Sequence, residues 1–318
     1  MRASLLALAA LFAAPSAPLA QTQPSAPLPP PPPCAAAYGP RVCGSAALAP
    51  LRAELHAKFM QVIATGNRTA TWQARQAEAL REIRTARDYD GKPIDDDALA
   101  QRFRDFIEQL DAALSQAKGV RDYVKTPSAR GETCMASWLN QGCRVTASGI
   151  LWDKSGRSVY WQMMEGASAR DGVGAGIVLW AGSGYGTARL IGFSFDGVVY
   201  EPPRITQGGL IWVPGRRAGT GEGNADLLYR WDDGAGAWQD IELESWRDGL
   251  DARLPKGFGI WKGIDYDFEG MGGFSKLWRD KDGNCCPSGG DATLNFEIRG
   301  RSLALTEVRT DIVARWAR

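Results

Sequence analysis

The chain carries one histidine, His56, six cysteines and a scatter of carboxylates, and this inventory limits its chemistry. A serine or cysteine nucleophile activated by imidazole needs a histidine beside it, as do most histidine-built zinc sites. His56 lies in a helical pattern, on the flank of an apolar face and far in sequence from the glycine-rich loops, so both mechanisms are set aside. No cofactor and no metal is expected. An enzyme would have to rely on paired carboxylates acting as acid and base across a cleft. Glu165, Asp196, Glu201, Asp226, Asp265 and Asp267 supply candidates. Asp226, closing Gly-Thr-Gly-Glu-Gly-Asn-Ala-Asp, is the first to examine, although Asp after such a run also shapes turns.

Aromatic residues are the second resource. Eleven of the twelve tryptophans lie at or after Trp138. Most must build a core, yet tryptophan keeps a polar edge, and a subset on an open face would stack on sugars or grip a protein. Trp161, Trp180, Trp212 and Trp231, with Asp226, form the candidate binding surface.

The cysteines depend on compartment. Met1 to Gln21 has the form of an export signal: Arg2, the apolar stretch Leu5 to Ala14, and small residues through Ala20. A periplasmic or secreted location follows, and there the cysteines read as disulfide partners. Cys34 and Cys43, and Cys134 and Cys143, share one spacing and bracket a helical region, while Cys285 and Cys286 are adjacent. Pairing among the first four is favoured; local loops and long cross-links both remain open. A structural bridge at Cys285-Cys286 competes with a redox switch. Asp280, Asp282 and Asn284 alternate like the start of a calcium loop, but Asp291 replaces the closing glutamate, which favours a solvated turn. The glycine triplets after Gly172, Gly182 and Gly219 lack the helix that a phosphate cradle opens into, and read as hairpin turns.

These side chains require two kinds of scaffold. Residues 1–20 are expected as the signal peptide and 21–33 as a polyproline linker, with seven prolines in thirteen residues. Residues 34–144 are expected as a disulfide-stapled helical domain. Leu48, Leu51, Leu55, Phe59, Val62 and Ile63 share one face, and Leu99, Phe103, Phe106, Ile107, Leu110 and Leu114 another, capped by Asp95 and closed by Gly119. Thr71 to Arg87 makes a middle helix. From 145 to 318, short apolar runs between Asp-Gly turns predict nine strands in a Gly/Trp-rich β domain, with Gly259 to Tyr266 as one strand and Ser245 to Leu254 as a short helix. The fold class is therefore α+β: a small helical bundle followed by a mainly antiparallel sandwich or partly open barrel. Basic and acidic side chains number 37 and 36, so no long-range field draws in nucleic acid, and no segment is apolar enough to span a bilayer.

Cys34 to Leu55, with two spaced cysteines followed by Leu48, Leu51, Glu54 and Leu55, resembles the N-terminal domain of LprI-type lysozyme inhibitors. Pro50 departs from that family's pattern. The resemblance implies an exported helical module that binds a partner. The expected role is a non-catalytic binding or inhibitor-like module with an envelope protein or polysaccharide as ligand; a carboxylate-dependent hydrolase of envelope polysaccharide is the alternative.

Overall fold

A computed structural model describes residues 34–124, 131–182, 186–219, 223–283 and 285–313. The signal peptide, the proline-rich linker and Asn284 lie outside the described residues.

The helices follow the apolar spacing. After two short helices, α1 (Cys34–Tyr38) and α2 (Pro40–Gly44), come α3 (Ala49–Ala64), α4 (Thr69–Thr85) and α5 (Asp96–Lys118). Because α3 starts at Ala49, Pro50 occupies its first turn, where an amide proton has no helical partner anyway, and the helix continues unbroken. Leu48, Leu55, Phe59 and Val62 meet Leu99, Phe103, Phe106 and Leu110 of α5 in one apolar core. Asp95 accepts from the Ala98 amide at 2.8 Å, the cap its position predicts. Gly119 closes α5 in the right-handed region, not the left-handed one. Its small size matters for a different reason: a Cβ there would lie 2.7 Å from Ser137 Oγ.

The remaining chain is a succession of antiparallel sheets. Strands β1 (Tyr123–Val124), β2 (Gln141–Trp152), β3 (Ser158–Ser168), β4 (Gly172–Gly182) and β5 (Ala188–Ser194) form the first, in the order β1-β5-β4-β3-β2. Next come β6 (Val199–Tyr200), β7 (Arg204–Ile205), β8 (Ile211–Val213), β9 (Gly215–Arg216), β10 (Leu227–Asp232) and β11 (Ala237–Ile241). Of these, β11-β10-β8-β7 make a sheet and β6 and β9 a two-stranded ribbon. The last sheet joins β12 (Phe258–Ile260), β13 (Asp265–Asp267), β14 (Gly272–Arg279), β15 (Gly290–Arg299) and β16 (Ser302–Ile312). The expected strand Gly259 to Tyr266 is thus two strands, β12 and β13, which pair with opposite ends of β14. The expected helix Ser245 to Leu254 is two 3₁₀ turns, broken at Gly249, whose φ of 73° a helix interior does not accept.

Successive side chains of a strand point to opposite faces, and here both faces are covered. In β3 and β4, Val159, Ile177 and Leu179 join a core with Ile211, Leu227 and Tyr229. Tyr160, Met164, Val178 and Trp180 face the other way, against Val120, Val124, Met135 and Leu139. Val120 and Val124, and the residues from Cys134 to Cys143, placed with the helical domain on sequence grounds, therefore pack against the first sheet. A further core between the second and third sheets holds Leu228, Ile241, Trp246, Leu277, Leu294 and Phe296.

All three disulfides are local: Cys34–Cys43, Cys134–Cys143 and Cys285–Cys286. None ties the first helices to the segment after α5. The link between helices and sheets is polar instead. Asn67, just before α4, exchanges two hydrogen bonds with the Phe193 backbone of β5, at 3.0 and 3.3 Å. Asp240 of β11 then caps α4 from outside its own segment, accepting from the Ala70 and Thr71 amides at 3.3 and 3.1 Å. Arg301 bonds both Asp240 and Thr69 Oγ1. Asp240 is buried, so its loss strands an arginine and two helix amides. Asp240→Ala should destabilise the fold by about 3 kcal/mol or more in denaturant titration; a loss no larger than that of an exposed surface aspartate would refute this role.

Candidate functional site

Docking α4 on the sheet edge leaves a cleft of about 1120 Å³ between α4 and α5 on one side and β10, β11 and the 3₁₀ turns on the other. It exists because α4 buries little of itself: Ala70, Trp72 and Ile83 anchor it, and the rest of the helix is partly or fully exposed. Arg75, Glu78 and Arg81 of α4 face Tyr229, Asp240, Glu244 and Asp248 across the opening.

Charge is sorted along this cleft. At one end Arg68, Arg75 and Arg217 converge on a single oxygen, Asp196 Oδ2, at 2.8, 3.2 and 3.9 Å. Burial by itself would raise the Asp196 carboxyl, but the three guanidiniums outweigh it and hold it well below the ordinary aspartate range. Burial also pulls Arg75 below the usual arginine value. Tyr200 is pushed up to about 12 by burial and by the neighbouring Asp196 charge. Its hydroxyl donates to Ser194 Oγ at 2.8 Å and accepts from the Gly197 amide at 3.0 Å. Tyr229 shares this floor, its ionisation likewise suppressed by burial, and its hydroxyl has no hydrogen-bond partner among the described residues.

At the other end acids and bases are paired. Arg81 joins Glu78 and reaches Asp248 at 3.2 Å, and Arg247 bonds Glu244 at 2.7 Å. Glu242 accepts from the Glu244 and Ser245 amides, fixing the first 3₁₀ turn.

The residues anticipated for binding fall into different surroundings. Trp180 is 0 % exposed in the β core, where its indole N–H donates to the Arg121 carbonyl at 2.8 Å. Trp161 is 8 % exposed within the adjoining core. Neither offers a ring to a ligand, because β3 and β4 are covered on both faces. Trp212 and Trp231 are half-buried, and each already carries an arginine: Arg204 lies 4.3 Å from the Trp212 ring and Arg157 4.1 Å from that of Trp231. Asp226 lines the cleft and a smaller pocket behind it. Burial raises its pKa, against hydrogen bonds from Asn224 at 2.7 Å and the Trp212 indole at 2.9 Å.

The other carboxylates have partners too. Glu165 pairs with Arg144, Glu201 with Arg204 and Asp265 with Arg216. Asp267 accepts from the Glu269 and Gly270 amides. Asp196 and Asp226 share the cleft; Glu165 does not line it. His56 lies on α3 and does not line it either. In the hairpin after β14, Asp282 accepts from the Arg279 and Ser288 amides and from Ser288 Oγ, so its carboxylate holds the turn. Among the described residues no group of three His, Cys, Asp or Glu side chains is placed to hold a metal ion. Among them, too, no helix is long and apolar enough to cross a membrane.

Arg68, Arg75, Arg217 and Tyr229 were not anticipated. They come from a helix start, a helix face, a loop and a strand, and no local spacing connects them. No protein-family pattern, curated protein or solved structure matches this chain.

An aspartate whose folded pKa lies below its unfolded value contributes stability that is complete above the ordinary aspartate range and is lost as pH falls through the lower folded value. Asp196→Asn should therefore melt below wild type at neutral pH and lose less on acidification, having no carboxylate there to protonate. Superimposable profiles of melting temperature against pH for the two proteins would rule this out.

Proposed function

We propose that the chain is an exported envelope protein that binds a ligand without transforming it, in the cleft between α4 and β10–β11. The helices serve as a small bundle forming one wall. The observation that carries this reading is the state of the cleft's charged side chains. Its carboxylates are held in ion pairs or accept defined hydrogen bonds, so the walls are polar and preset, as recognition requires. The three local disulfides support an oxidising compartment. The cysteine-bearing start of the chain supports an inhibitor-like partner role. The arginines over Trp212 and Trp231 favour the cleft over an aromatic face as the place of contact.

One observation favours a hydrolase as the second reading: Asp226 is a buried carboxyl, shifted towards its protonated form, at the junction of two pockets. A general acid has this character. Both of its oxygens already accept hydrogen bonds, however, and Asp265 and Glu201 beside it are ion-paired.

Ala77 is an exposed position of α4 on the cleft wall, so Ala77→Trp fills the opening with little effect on the helix. Immobilised wild-type protein should retain a saturable component of peptidoglycan digest or envelope extract, and Ala77→Trp should weaken that retention at least about tenfold. Equal retention by a folded Ala77→Trp protein would reject the cleft as the binding site. Conversion of the digest to new products, abolished by Asp226→Asn, would establish the hydrolase instead.

A further inference from the structure

We infer that the Asp196 end of the cleft is a subsite for an anionic group, a carboxylate or a phosphate, gripped by Arg75 and Arg217. This assignment rests on the reading of the cleft as a binding site and specifies the chemistry of its ligand.

The first support is a charge count. Among the described residues, three guanidiniums surround one carboxylate, and all three approach the same oxygen of it. The arrangement leaves two positive charges uncompensated at one end of an otherwise paired cleft. Neighbouring acids do not cancel them. Asp240 is engaged by Arg301 and the start of α4, and Asp226 by Trp212 and Asn224.

The second support is unused donor capacity. A guanidinium offers five N–H donors in a rigid fork suited to two oxygens of a carboxylate or phosphate. Arg68, with only 13 % of its side chain exposed, is spent on Asp196 and Ser194 and fixes the carboxylate. Arg75 and Arg217 keep 30 % and 45 % exposed. Arg75 stands over the Trp72 ring, 4.9 Å from its centre, which sets the direction of its fork. Among the described residues Arg217 makes no side-chain hydrogen bond; its contact is the 3.9 Å approach to Asp196.

Isothermal titration of the folded chain with inorganic phosphate, N-acetylalanine and N-acetylalanine amide, at matched ionic strength, tests this. At least one of the two anions should bind saturably and the neutral amide should not. The preferred anion identifies the ligand group as phosphate or carboxylate. Arg217→Gln and Arg75→Gln should each weaken that binding at least about tenfold. Arg204→Gln, which lies outside the cleft, should change nothing. Anion binding undiminished in both Arg75→Gln and Arg217→Gln would overturn the assignment. So would the absence of anion binding in a protein that still retains an envelope component in an Ala77→Trp-sensitive way, a result that would leave the cleft reading standing. Anion binding with no such retention would remove the cleft reading and keep the subsite.

Discussion

A buried carboxylate anchors the helices to the sheets, beside the Asn67–Phe193 bonds and the arginines on Asp196. Asp240 belongs to β11, yet it terminates α4, a helix some 170 residues earlier in the chain. The first amides of a helix carry partial positive charge and need acceptors; usually a residue at the helix's own start provides them. Here Arg68 stands at that start with a left-handed backbone and no capping side chain. The helix therefore has its acceptor only when docked. Capping and docking become one event, and the cleft is the space left where the docked helix diverges from the sheet. Arg68 itself, freed from capping, turns its guanidinium to Asp196 and so orders the far end of the same cleft.

Burial on both faces of β3 and β4 explains why the tryptophans did not mark a binding surface. A sheet with one solvent face would have alternated apolar and polar residues and set its aromatic side chains into two groups, one buried and one open. Val159-Tyr160-Trp161 and Ile177-Val178-Leu179-Trp180 show no such alternation, because odd and even positions enter different cores. Trp212 and Trp231, nearer the surface, each carry an arginine over the ring, while Trp152 stays 55 % exposed. The aromatic side chains of β3 and β4 thus serve packing, and the cleft beside them is lined largely by polar residues.

Much of the architecture was legible in the residues. The α+β class, the apolar faces of α3 and α5, the Asp95 cap and most strands follow from period and turn chemistry, which are local properties. The failures share one physical origin. Pro50, a departure from the pattern of the family the segment resembles, stands in the first turn of α3 and leaves that helix intact. Strand β14 went unread because Gly272-Gly273 and Lys276 obscure its alternation, and its place is secured by pairing with β12, β13 and β15 instead. The site lay deeper still. Asp226 could be singled out from its turn, but Arg68, Arg75, Arg217 and Tyr229 acquire meaning only when α4 meets the sheets, and no spacing rule spans that distance.

Net charge has a limited reach. A chain with nearly equal numbers of acids and bases has no long-range field, which is the ground for expecting no nucleic-acid partner. That balance does not bear on a cleft. Within a few ångströms, and away from bulk water, the sorting of charge outweighs its sum. Three arginines against one aspartate at one end, with Glu78 and Asp248 sharing Arg81 at the other, make a short polarised channel in a protein that is neutral overall. A ligand carrying a negative group would be oriented on entry by that asymmetry, since one end holds an excess of guanidiniums and at the other acids and bases are paired. An asymmetry of this kind persists only while the helix and the sheet are held in one relative position, which ties the shape of the cleft to the buried Asp240 between them.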